Sequence, residues 1–121
     1  MPKLSLGGEV DPEIVCGNRD IVEAYRQDPF NHGKVSARWF VELLSSIERV
    51  KRDACKIDTP ISIWHGEHDA LVAPWVSEQF YSRLRVEPRH RELVMGALHE
   101  VLYEKGWEST ADSMQRWFDR F

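Results

Sequence analysis

Five residues in a row, His65, Gly66, Glu67, His68 and Asp69, follow the short apolar run Ile61–Trp64. A single histidine, His99, follows Leu93, Val94, Met95 and Gly96 in a similar way. Carboxylate and imidazole are the side chains best suited to moving protons near neutral pH. A carboxylate bonded to one imidazole nitrogen fixes the tautomer. It also stabilises the imidazolium formed when the other nitrogen takes a proton. Asp69 and His99 are therefore candidates for an acid–base pair, provided that their loops open on the same side of the molecule. His65, His68, Asp69 and His99 are also proper zinc-ligand types. But an H-x-x-H pair in a loop directly after a strand lacks the i, i+4 spacing of a helical zinc site, so no metal is expected. His65 is expected to shape the turn by bonding local backbone, and His68 to stand exposed. Glu100 is assigned no chemistry, and His32 and His90 carry no signal.

The elements that must position these residues follow from pattern and punctuation. Ile61–Trp64 after Thr59-Pro60 reads as a strand, with Gly66 allowing a sharp exit. Pro74 suits the first turn of a helix, whose apolar face is Trp75, Val76, Phe80 and Leu84; Pro88 ends that segment. Leu93–Met95 reads as a second strand. From about Ser109 to Phe121, Met114, Trp117, Phe118 and Phe121 recur at helical spacing. Strand, polar loop, helix, strand, polar loop, helix is the order of parallel strands joined by a crossover helix. In such a sheet both polar clusters fall at the C-terminal strand ends, where ligands gather. Trp75, Trp107 and Trp117 are expected in the core.

The first half is simpler. Residues 1–18, with Gly7, Gly8, Pro12 and Gly17, read as an irregular lead-in. Asn18 caps a short helix from Arg19 to about Arg26, and Asp28-Pro29 ends it. Lys34 to Ala54 reads as the clearest helix. Phe40, Leu43, Leu44 and Ile47 form its apolar stripe, widened by Trp39 and Val50, and Glu42, Glu48, Arg49, Lys51 and Arg52 its outer face. Two parallel strands alone would leave their outer edges unpaired, so the chain reads as part of a larger fold.

Composition narrows the class. The chain has 121 residues, 42% hydrophobic and 30% charged, with a formal net charge of −4. One domain is expected, and the mild acidic balance gives no basic patch for nucleic acid. Cys16 and Cys55 form no C-x-x-C pair and read as two reduced, partly buried thiols. No apolar run is long enough for a transmembrane segment, and MPKLSLGGEVDPE lacks the apolar stretch of a secretory signal. A cytoplasmic location is expected.

The residues quoted carry a resemblance. "TPISIWHGEHDALVAP" and "MGALHE" resemble the acid and histidine loops of α/β-hydrolases, in the branch of monoacylglycerol lipases and lysophospholipases (serine aminopeptidase S33-like). "AYRQDPFNHG" and "SARWFVELL" resemble the family's cap, or lid. The resemblance implies the fold class α/β: the C-terminal portion of an α/β-hydrolase, with a helical cap segment at residues 1–56 followed by two parallel strands with helices at 57–121. It implies Asp69 as triad acid and His99 as triad base, in the family's chain order of serine, acid, histidine. It implies hydrolysis of a carboxylic ester, acylglycerol-like, with no cofactor and a lipid-like substrate. Trp39, Phe40, Leu43 and Leu44 then have two readings, as ordinary packing or as the lining of an acyl-chain pocket.

One departure stands beside the match. No G-x-S-x-G occurs in the sequence, so the nucleophile and its oxyanion hole are expected on strands that precede the cap. The isolated chain is then expected to be inactive. The rival reading is a non-catalytic remnant or interaction module that pairs with a separate N-terminal half or forms a homo-oligomer through its open sheet edge. A truncated gene is a third expectation.

Overall fold

The computed structural model describes residues 5–8 and 10–121. Its elements in chain order are β1 (Ser5–Gly7), α1 (Arg19–Gln27), β2 (Lys34–Ser36), α2 (Ala37–Asp53), β3 (Ile61–Gly66), α3 (Pro74–Arg83), β4 (Arg89–Val94) and α4 (Trp107–Phe118). Short 3-10 turns at Pro12–Ile14 and Ala54–Lys56 complete the path. β3 and β4 pair in parallel, with Ile61 opposite Arg89 and Gly66 opposite Val94. Because the register brings both strands to an end side by side, the loops that follow them leave from one edge. α3 is the crossover between them.

Local chemistry sets the boundaries. Asn18 accepts from the Asp20 N–H at 3.1 Å and Ser36 from the Trp39 N–H at 3.1 Å, each satisfying an orphan donor of a helix's first turn. The Ser36 cap starts α2 at Ala37, so Lys34–Ser36 are not helical as the stripe suggested. They form β2, antiparallel to β1. The lead-in is thus not wholly irregular, although residues 1–4 and 9, which that reading also covers, lie outside the described residues. α4 begins at Trp107, ahead of Ser109.

β4 is twice as long as Leu93–Met95 suggested, and Met95 falls beyond its end. Its first four residues, Arg89, His90, Arg91 and Glu92, are polar; helix side chains or helix ends satisfy Arg89, Arg91 and Glu92, and His90 lies 3.5 Å from Glu92 of the same strand. Arg91 donates to Ser77 Oγ at 3.2 Å and to the Pro74 carbonyl at 3.1 Å, and Arg89 donates to the carbonyls of Tyr81 and Leu84, all in or just after α3. Glu92 faces the other way, accepting from Ser113 Oγ of α4 at 2.5 Å and from Trp64 Nε1 at 3.2 Å. The alternation of a strand sends odd residues to one helix and even residues to the other. The Ser113 hydroxyl is the main cause that holds the Glu92 carboxyl below its ordinary value against burial, helped by His90 and Trp64.

The core is thin. Cys16, Val22, Ala54, Leu84, Ala97 and Trp117 are its buried apolar residues. Trp117 stacks on His90 with ring centroids 5.9 Å apart. Trp75 and Trp107, expected in the core, are exposed, and so is Cys55. α2 contains no buried residue: its apolar stripe faces solvent. Among the described residues β3 has a single partner strand, β4. No helix among the described residues is long and apolar enough to cross a membrane.

Candidate functional site

The two loops at the shared strand end interlock. The Glu67 N–H donates to the Val94 carbonyl at 3.0 Å, and the His68 N–H to the Ala97 carbonyl at 2.9 Å. Glu67 Oε2 accepts from the Gly96 N–H at 2.9 Å. Where the histidine loop crosses the end of β3 it passes over Gly66. A Cβ there would lie 1.8 Å from the Leu98 carbonyl oxygen and 2.7 Å from that of Ala97. Only a residue without a side chain admits this crossing.

The crossing brings Asp69 and His99 together. His99 Nδ1 lies 2.8 Å from Asp69 Oδ2. Asp69 Oδ1 accepts from the N–H groups of Leu71 at 2.9 Å and Val72 at 2.8 Å, a turn of the kind aspartates form with backbone two and three residues on. The Asp69 side chain is 3% exposed and that of His99 33%. Burial pushes the Asp69 carboxyl up. The hydrogen bonds from Val72, His99 and Leu71 outweigh it and hold the group below its ordinary value, so it is ionised at neutral pH.

The partners decide the tautomer. An ionised carboxylate only accepts, so the proton of a neutral His99 sits on Nδ1. Nε2 then carries the free lone pair, on a ring one-third open to solvent. An imidazole fixed in this way can take a proton at Nε2, and the Asp69 charge stabilises the resulting cation.

His65 bonds local backbone, with Nε2 2.8 Å from the Val72 carbonyl. The same nitrogen also lies 3.0 Å from Asp69 Oδ2, a contact the sequence reading did not anticipate. Since a carbonyl accepts, Nε2 must carry the proton that it donates to Val72. The signal was the i, i+4 spacing of His65 and Asp69 across the turn. The His68 side chain is exposed, 3.8 Å from Glu67. Among the described residues no group of three or more His, Cys, Asp and Glu side chains is disposed to hold a metal ion. Trp39, Phe40, Leu43 and Leu44 lie on α2, each 39 to 51% exposed, open to solvent rather than enclosing a cavity.

Comparison with known proteins places the chain in a family. The family model described as serine aminopeptidase, S33, matches residues 1–106. The chain belongs to that family. It is 28% identical over 121 residues to an abhydrolase-domain protein of Dictyostelium discoideum, covering 97% of this chain and 13% of the relative. It is 27% identical over 109 residues to a monoacylglycerol lipase of Mycolicibacterium smegmatis, covering 89% of this chain and 39% of the relative. The crystal structure of Paleococcus ferrophilus monoacylglycerol lipase superposes with a TM-score of 0.89 at 27% identity, over 96% of this chain and 46% of that one. The chain thus spans less than half the length of these relatives. Its architecture of helices with a parallel strand pair is part of an α/β-hydrolase fold.

Proposed function

We propose that the chain is the cap plus C-terminal portion of a lipase-like serine hydrolase, with residues 1–56 as cap and 57–121 as part of the catalytic core. His99 is the general base and Asp69 its orienting acid. His99 Nε2 takes the proton of a serine hydroxyl as the serine oxygen bonds the ester carbonyl carbon. It returns that proton to the alcohol oxygen as the ester C–O bond breaks. Water then repeats the cycle on the acyl-enzyme, and the carboxylic acid leaves. The 121 residues hold no G-x-S-x-G, so the serine and the oxyanion donors belong to sequence outside them. The substrate class, a monoacylglycerol-like carboxylic ester, follows from the names of the relatives. On this reading Trp39, Phe40, Leu43 and Leu44 line the acyl-chain path.

The observation that carries the proposal is the 2.8 Å contact from His99 Nδ1 to Asp69 at the C-terminal edge of two parallel strands. The test begins with the DNA upstream of Met1. An in-frame G-x-S-x-G segment, expressed joined to this chain, should hydrolyse monoolein, and His99→Ala or Asp69→Asn should abolish most of the turnover. Full activity in His99→Ala would refute the assignment.

The second reading, a module that binds a separate half or its own copy, is favoured by the open edge of β3 and the solvent-facing stripe of α2. Absence of any upstream nucleophile segment would select it. Neither reading predicts esterase turnover by the 121 residues alone.

A further inference from the structure

The backbone that presents His99 is held from a second side. The lead-in segment Val15–Asn18 lies along the histidine loop and is tied to it three times. The Glu100 N–H donates to the Val15 carbonyl at 3.0 Å, the buried Cys16 thiol to the Tyr103 carbonyl at 3.5 Å, and the Gly17 N–H to Glu104 Oε1 at 2.9 Å. The same Glu104 oxygen accepts from the Leu98 N–H at 3.2 Å. Leu98 is therefore clamped on both sides: its carbonyl rests over Gly66 and its N–H is held by Glu104, one residue before His99.

Gly17 fits the same device. A Cβ on it would lie 2.8 Å from Glu104 Oε2 and 3.6 Å from the carboxyl carbon. A side chain there would push the carboxylate from the place where it reaches the two N–H groups. Nothing in the acid–base pair itself uses Glu104, and no spacing in the sequence marks it.

We propose that Glu104 is a positioning residue, whose Oε1 joins the Leu98 N–H to the Gly17 N–H and so fixes the backbone that presents the His99 ring to Asp69. The assignment deepens the proposed function and rests on it. It also couples the segment ahead of α1 to the histidine, beside the backbone bond from the Glu100 N–H to the Val15 carbonyl. Hydrogen bonds to a charged acceptor are the stronger kind. Two of them on one oxygen make Glu104 the main polar contact between the segments.

The test is proton NMR of the full chain. A His99 Nδ1–H bonded to a carboxylate gives a far-downfield resonance, and the Trp64 indole N–H, bonded to Glu92 and Ser113, reports the sheet independently. Glu104→Ala should speed exchange of the His99 proton with water by about tenfold, the equivalent of one lost charge-assisted hydrogen bond. The Trp64 signal should be unchanged. Glu104→Gln, which keeps an acceptor oxygen, should restore slow exchange. An unaltered His99 proton in Glu104→Ala overturns the proposal, as does equal disturbance in the alanine and glutamine variants. If Glu104→Ala unfolds the chain, Gly17→Ala decides. Loss of the His99 proton with Trp64 intact supports the coupling, and its retention overturns it. A missing downfield proton in the unsubstituted chain would instead remove the Asp69–His99 pair itself, and with it the proposed function.

Discussion

Gly66 and Leu98 approach so closely that a Cβ on the glycine would sit 1.8 Å from the leucine carbonyl oxygen. The contact is backbone against backbone site, with no flexible side chain to yield. Gly66→Ala should therefore cost roughly 3 kcal/mol or more, the level reached by severe overpacking. The melting temperature should fall by about 10 °C or more. The His99–Asp69 contact should be lost even where the chain still folds, because the crossing loop carries His99. A melting temperature within a degree or two of the unsubstituted chain would show that the loop does not cross there.

Asp69 gives a pH dependence of definite sign. Its carboxyl is held below the ordinary value in the folded state, against burial, by Val72, His99 and Leu71. The unfolded chain therefore takes up that proton at higher pH than the folded one. Its contribution to stability is complete above the unfolded value of about 3.9 and is lost as pH falls through the lower folded value. Urea unfolding measured from about pH 2 to about pH 6 should show stability rising with pH. Asp69→Asn should shallow that rise. It should not abolish it, since Glu92 and Asp53 are lowered as well. An unchanged slope would mean that Asp69 is not held by these donors.

The readable and unreadable parts of this sequence divide on physical lines. Ile61–Trp64 and the residues after Pro74 announce themselves through β-branched side chains and a helix-starting proline, and both elements are where the pattern puts them. Asn18 marks a true helix start, whereas the Ser36 cap, which begins α2 after the expected Lys34, does not stand out beside the apolar stripe. Arg89–Glu92 were invisible as strand because four polar residues in a row fit no alternation of apolar and polar. Their partners, Ser77, Pro74 and Ser113, come from distant helices and cannot be read locally. β1 and β2 span three residues each, too short for a periodic signal. Asp69 and His99 were legible as a pair only through strand order and family resemblance. His65 against Asp69 had only an i, i+4 spacing to mark it, and Glu104 between Gly17 and Leu98 depends on loop geometry that no spacing encodes. Trp75 and Trp107 were placed inside on residue type alone, but this thin core leaves both in solvent.

Ser62 supplies a test of the sheet. Its hydroxyl is buried without a hydrogen-bond partner among the described residues. A buried hydroxyl with no partner costs stability, and removing it relieves that cost. Ser62→Ala should leave the isolated chain as stable as before or more stable by about 1 kcal/mol. A clear loss of stability in denaturant titration would show that the hydroxyl has a partner in solution.

The stripe on α2 leads to the last prediction. Trp39, Phe40, Leu43, Leu44, Ile47 and Val50 are 39 to 52% exposed along one helix that has no buried residue. Single exposed apolar side chains are ordinary, but a contiguous row of six is not what a monomer leaves in water. Among the described residues the parallel pair β3–β4 has no further partner strand, which adds an edge of unpaired backbone groups. We predict that the isolated chain associates, with the apparent mass in light scattering rising with concentration. Leu43→Glu with Ile47→Glu should shift it back toward monomer. The helix is solvent-facing and starts at its own Ser36 cap, so these changes should cost little stability, within about 0.5 kcal/mol as for surface substitutions generally. If the double variant associates as strongly as the parent, the β3 edge is the sticking surface, and a proline at an unpaired edge position becomes the informative change. A clean monomer at all concentrations, with a high melting temperature, would mean that the stripe is covered in solution by a rearrangement of this chain.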